Sequence, residues 1–239
     1  MATIAPPGPT ALQKERAFFF YMSLALLGVT IAGFVRFFVL GLSSLDSPWW
    51  VHLHGVSMMG WLLLYVAQNG LVAQGNVALH RRLGIVASVY SLWVLAMGVS
   101  VLAFNLMEHR TPPFFPGAFM PAMDGLTVIA FCALTWTAIA MRNRADWHKR
   151  LMLGGTILLI QPGLGRLLPP PMIDTFISYK LFPAHLLFFA AAIIYDWRVR
   201  GRVHPAYGWG LGALVLATVL PLYVAQMPPL LDLVAALKG

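Results

Sequence analysis

The stretch VHLHGVSMMGWLLLYVAQ, residues 51–68, places two histidines at the head of an otherwise apolar run. With its flanks the run covers about residues 50–73, long enough as a helix at about 1.5 Å per residue to cross a hydrocarbon core about 30 Å thick. A run of this kind either spans a bilayer or fills the middle of a large soluble domain, and composition separates the two. Apolar residues make up 59% of the 239, charged residues 10%, and the mean hydropathy is +0.77. A soluble domain of this length cannot hide so much apolar surface from water, so a bilayer is the solvent.

Similar runs recur along the chain, and together they predict an all-α, polytopic transmembrane bundle of about seven spans: roughly 17–40, 50–73, 83–104, 123–141, 151–168, 181–196 and 208–227. Residues 1–16, rich in Pro and Ala, read as an N-terminal tail, and 17–239 as one transmembrane domain. The run after Arg16 contains Arg36 and lacks a small-residue cleavage site, so it reads as a retained helix. Cys132 is the only cysteine, which excludes an internal disulfide.

A net charge of +8 would suit a nucleic-acid partner if the basic residues formed one binding face. They occupy alternate loops instead. Lys14 and Arg16 precede the first span; Arg81 and Arg82 follow the second; Arg142, Arg144, Lys149 and Arg150 follow the fourth; Arg198, Arg200 and Arg202 follow the sixth. The other loops hold Arg110, Lys180 and Lys238. By the positive-inside rule the N-terminus is expected in the cytoplasm and the C-terminus outside, as in a multi-pass protein of a bacterial inner membrane with no nucleic-acid partner. His80, His148 and His204 lie among these arginines and are expected to anchor at the lipid headgroups, with Trp147, Trp197, Trp209 and Tyr207 as an aromatic belt.

The basic turns LHRRL (79–83), DWHKRL (146–151) and DWRVRGRVHP (196–205) look alike, which suggests a repeated hairpin. LHRRLG, after a span that ends near Gln68, and WHKRLM resemble the turns of an uncharacterised family of bacterial polytopic membrane proteins with an "LHRRLG"-type cytoplasmic turn. That resemblance covers about half the chain and implies a polytopic helical fold but no activity.

Near the opposite ends of the spans lie Arg36, His52, His54, Asp124, Arg166 and His185. Ionisable side chains inside a membrane are costly and usually face the bundle interior, so residues from several helices at one depth predict a polar pocket near the outer leaflet. Residues two apart on a helix point about 200° from one another, so only one histidine of the opening pair can face inward. His54 continues into a stripe with Met58, Trp61, Tyr65 and Gln68; His52 does not. His54 is therefore expected inside and His52 at the headgroups.

His54 and His185 as paired metal ligands, with Arg36 and Arg166 against propionates, would suit a haem-type redox cofactor. Asp124, Met58, Trp61 and Gln161 would line the pocket. Pro162, with Gly163 and Gly165, is expected to kink or break the fifth span, either to open it onto the pocket or to admit a neighbouring helix. The loop with Met107, His109, Met120 and Met123 could roof the site and raises copper as the rival cofactor, since thioether and imidazole suit Cu(I). A third reading has no cofactor: arginines that snorkel and histidines that bond water or lipid.

Three functions follow from these readings. One is a haem-type electron-transfer protein. The second is a carrier or binding protein for a small, quinone-like or lipid-like molecule. The third is a non-catalytic subunit of a membrane complex, with membrane lipids and a protein as partners. An enzyme acting through His54 and Asp124 finds no GxSxG, HExxH, CxxC or phosphate-loop motif in support.

Overall fold

In a computed structural model, which describes residues 10–238, the first helix already begins at Ala11. Thr10 caps it reciprocally with Gln13: each side chain bonds the other's backbone N–H. Residues 11–16 of the expected N-terminal tail are therefore helical, and residues 1–9 lie outside the described part. The helices are α1 (Ala11–Val39), α2 (Trp49–Ala73), α3 (Val77–Met107), α4 (Phe119–Ala140), α5 (Ala145–Leu159), α6 (Gln161–Leu167), α7 (Ile177–Arg200), α8 (Ala206–Val219), α9 (Pro221–Val224) and α10 (Pro228–Lys238).

Six units are long and apolar enough to cross a membrane: α1, α2, α3, α4, α7, and α8 taken with α9. The chain is a multi-pass helical membrane protein. Most of these helices outrun the predicted spans, because hydropathy detects only the stretch that meets hydrocarbon, whereas backbone hydrogen bonding continues through the polar boundary. α3 is the extreme case, at 31 residues or about 46 Å. Its first turn is held by Asn76, whose side chain accepts from the Leu79 N–H.

The fifth predicted span is broken. Pro162 has no N–H for the Leu158 carbonyl, so α5 stops at Leu159 and the chain resumes as α6. Together α5 and α6 run from the Glu15 end of α1, where Arg150 meets Glu15, to its far end, where Arg36 meets the α6 carbonyls. The glycines after the break admit a neighbour. A Cβ on Gly163 would stand 2.7 Å from the Thr30 Cα, and one on Gly33 would overlap the Gly163 carbonyl. Of the two readings of that segment, the close helix contact is the one seen.

The core runs continuously through the bundle and includes Leu26, Trp61, Phe131, Ile157, Phe189 and Tyr207. α4 lies against α5, α3, α8 and α9; α2 lies against α1 and α3; α7 packs with α8, α6 and α5. The final helix, α10, was not anticipated. It rests on α3 through Val234, beside Leu106 and Ala118, at the end of the bundle opposite Glu15.

Candidate functional site

The expected outer pocket must be rebuilt residue by residue. His52 is exposed, with Nε2 3.1 Å from the Leu45 carbonyl, and serves a loop as expected. His54 is half-buried, but the neighbour it faces is α3. It lines a cavity of about 40 Å³ with Trp49, Trp50, Leu53, Met97, Ser100, Val101 and Phe104. That space holds one or two waters. Trp50 closes its outer edge by donating to Glu108 at 2.8 Å and stacking on Phe104.

His185 is 2% exposed and lies deeper. The hydroxyl of Ser178 on α7 bonds the sulfur of Met123 on α4, which sets those helices at a common level. From there His185 is about 10 Å inward along α7 and Phe131 about 12 Å inward along α4. Phe131 meets Trp61 edge to face, with centroids 5.1 Å apart. His185 is thus near the depth of Trp61, whereas His54 is two turns, about 10 Å, further out. α2 and α7 share no helix interface of note. The common depth expected for the two histidines is not what the structure shows.

The arginines are engaged elsewhere. Arg36 donates through Nη1 to the carbonyls of Arg166 (2.7 Å) and Leu168 (3.0 Å), so its charge caps the C-terminal end of α6. Arg166 lies 4.2 Å over the Phe34 ring and donates to the Pro162 carbonyl. Arg36→Gln is expected to cost about 1.5–3 kcal/mol, the range for hydrogen bonds to a charged group. Arg166→Gln, which loses only a bond within its own helix and a stacking contact, should cost less. Unfolding midpoints of the two purified variants in the reverse order would contradict this assignment. Asp124 and Gln161 are half-buried, and neither makes a side-chain hydrogen bond or ion pair among the described residues. Met58 packs against the main core.

In the inner half of the bundle only the α2 stripe was announced by the sequence. On one face of α2, Trp61, Tyr65 and Gln68 are buried, and the indole N–H, the phenol and both amide atoms of Gln68 have no hydrogen-bond partner. Thr135 on α4, Tyr207 on α8 and Nε2 of His185 on α7 are in the same condition. Each such atom forgoes about 1–3 kcal/mol of solvation unless something supplies a bond. Trp61, Tyr65 and Tyr207 belong to one continuous apolar core, and the partnerless atoms are a polar seam buried in this inner half of the bundle. Gly155 lets α5 approach α4 closely here, since a Cβ there would come 2.8 Å from the Thr135 hydroxyl. Toward the basic end, the His80 and His148 rings lie 6.3 Å apart and nearly perpendicular, and His148 is held by Nδ1 on the Ala138 carbonyl at 2.8 Å.

Beyond the seam lies an ion-pair network. Arg150, its side chain wholly buried, clasps Asp196 with Nε and Nη2, reaches Glu15 at 3.2 Å and donates to the Asp146 carbonyl at 2.8 Å. Lys149 pairs with Glu15 at 2.6 Å, and His204 with Asp146 at 3.1 Å. Sequence reasoning placed Arg150 in a cytoplasmic loop, His204 at the headgroups and Tyr207 in an aromatic belt; all three are buried instead. A signal was present. Three of the eight acidic residues, Glu15, Asp146 and Asp196, sit among the basic turns, where topology alone has no use for them.

Among the described residues no three His, Cys, Asp or Glu side chains group in a metal-holding arrangement. Comparison with protein-family models, curated proteins and solved structures returns no match to this chain.

Proposed function

We propose that this protein binds, and as a carrier conducts, a small amphipathic molecule of quinone-like or lipid-like character, with the ligand's apolar body in the bundle and its polar head on the inner seam. The observation that carries the reading is the set of buried donors and acceptors on α2, α4, α7 and α8 with no protein partner. A ligand head with carbonyl or hydroxyl groups satisfies several of them at once, whereas an apolar core of the same volume would need none. The partnerless groups are hydroxyl, amide, indole and imidazole, and the carboxylate nearest Tyr207 is already paired with Arg150, which suits an uncharged head. We read the end bearing Glu15 and Arg150 as cytoplasmic and α5 with α6 as a seventh crossing, in a bacterial inner membrane.

The test uses the gently purified chain. Co-purifying molecules are identified by mass spectrometry, and binding of a short-chain quinone and of a monoacylglycerol is measured directly. Tyr65→Phe with Gln68→Leu should weaken binding by about ten-fold or more, the worth of one to two hydrogen bonds. It should leave the ligand-free protein as stable as before or more so, because it removes groups that lack partners. A less stable double variant with no ligand found would mean that the seam is structural, and the proposal would fall.

One observation favours a redox reading beside it. The Nδ1 of His185 bonds the Leu181 carbonyl at 2.9 Å, which fixes the tautomer that leaves Nε2 bare, as an axial haem ligand requires. His54 then belongs to another level. A Soret band in the purified protein that vanishes in His185→Ala would support this reading; a featureless spectrum with no metal would remove it.

A further inference from the structure

We infer that the cleft between the start of α5 and the α7–α8 turn is a phosphate-binding site, independent of the inner seam. The cleft has a volume of about 240 Å³ and is lined by Asp146, Arg200, Arg202, Val203, His204 and Pro205. Its shape follows from the turn. α7 ends at Arg200, Gly201 takes the left-handed conformation (φ 69°) that reverses the chain, and Pro205 leads directly into α8. Arg200 and Arg202 thereby flank the glycine and reach the same hollow.

Among the described residues, no carboxylate at this end forms a salt bridge with Arg200 or Arg202. Glu15 is taken by Lys149 and Arg150 and Asp196 by Arg150, while Asp146 accepts from the His204 ring, so in the cleft one carboxylate stands against two guanidiniums. Arg200 and Arg202 are left with no ion pair and no side-chain hydrogen bond among the described residues, and Nη1 of Arg200 is buried without a partner. The Nη1 of Arg200 removed from water without a partner is costly, and with the exposed Arg202 on the same cleft the positive charge there exceeds that of the single Asp146 carboxylate. A tetrahedral oxyanion resolves both conditions, because its oxygens accept from planar guanidinium forks two at a time.

The one carboxylate in the lining is held in place. The Ala206 N–H donates to Nδ1 of His204 at 3.1 Å, so the proton resides on Nε2 and points at Asp146. Burial depresses the pKa of His204 below its ordinary value, so at neutral pH the ring stays in this donor form. Asp146 is thereby fixed at the cleft wall. A phosphate of this kind is carried by an anionic phospholipid headgroup or by free phosphate, and both reach this boundary of the bundle.

The experiment titrates the full chain with two probes: nanodiscs of phosphatidylcholine with and without phosphatidylglycerol, and inorganic phosphate. Wild type should prefer phosphatidylglycerol, or bind inorganic phosphate, or both. Arg200→Gln with Arg202→Gln should weaken that binding by about ten-fold or more. Arg198→Gln, at an exposed position on the same helix, should leave it unchanged. Lipid binding that inorganic phosphate does not displace identifies a headgroup site; displacement with the same arginine dependence identifies a site for soluble phosphate. Equal loss in Arg198→Gln, no loss in the double variant, no binding of either probe by wild type, or a lowered melting temperature in the double variant would each overturn the inference. The last would show the two guanidiniums bonded within the protein.

Discussion

Asp196→Ala should destabilise the protein by about 3–5 kcal/mol, the range for removing one partner of a buried ion pair. Both side chains of the Arg150–Asp196 pair are wholly buried, and the single guanidinium ties α1, α5 and α7 through Glu15, its own helix and Asp196. Without Asp196 the charge of Arg150 stays buried with only Glu15, partly exposed and shared with Lys149, to balance it. The double replacement Arg150→Met with Asp196→Leu should recover much of the loss, because an apolar pair of similar volume has no charge to desolvate. Arg150→Lys should not, since an ammonium cannot hold both carboxylate oxygens and the Asp146 carbonyl in one plane. Unfolding of the purified variants in a graded detergent series measures all three. An Asp196→Ala variant as stable as wild type would show that the clamp does not hold the helices together.

Gly163→Val should be the second severe change, with a cost at or above the about 1–3 kcal/mol typical of overpacking. The Cβ position at Gly163 is 2.7 Å from the Thr30 Cα and 3.1 Å from the Thr30 Cβ. The obstacle is backbone, which cannot rotate aside, so α6 must move away from α1 as a body. That movement would also draw the Arg166 and Leu168 carbonyls off Arg36, coupling the two sites. Gly165→Ala, whose Cβ would meet only the flexible ends of Ile177 at 3.4 Å and Leu181 at 3.7 Å, should be far milder. Equal melting temperatures for the two glycine variants would refute the close contact.

The bundle was legible in the sequence because a bilayer imposes one rule on every span: each backbone group bonds within its own helix, and the flank is apolar. Pro162 announced the break in the fifth span for the same local reason. α10 was missed because its eleven residues are too few to resemble a span. The orientation of the opening histidines was also legible, since 3.6 residues per turn separate His52 from His54 without reference to any neighbour. Which neighbour His54 meets was not. Its partner is α3, and its depth relative to His185 depends on how α2, α4 and α7 slide past one another, a quantity absent from any one helix.

The amino-acid order by itself determined that this chain is a helical membrane protein, where its polar boundaries lie and which helix breaks, because those properties are set by solvent and by bonds between near neighbours. Only the tertiary structure decided that Arg150 is buried on Asp196 while Arg200 and Arg202 are not paired, and that polar groups of α2, α4, α7 and α8 are buried without partners. The physical reason is that a charged or polar side chain takes its energy from whatever stands within a few ångströms of it, and for Arg150 and Asp196 that neighbour is 46 residues away along the chain.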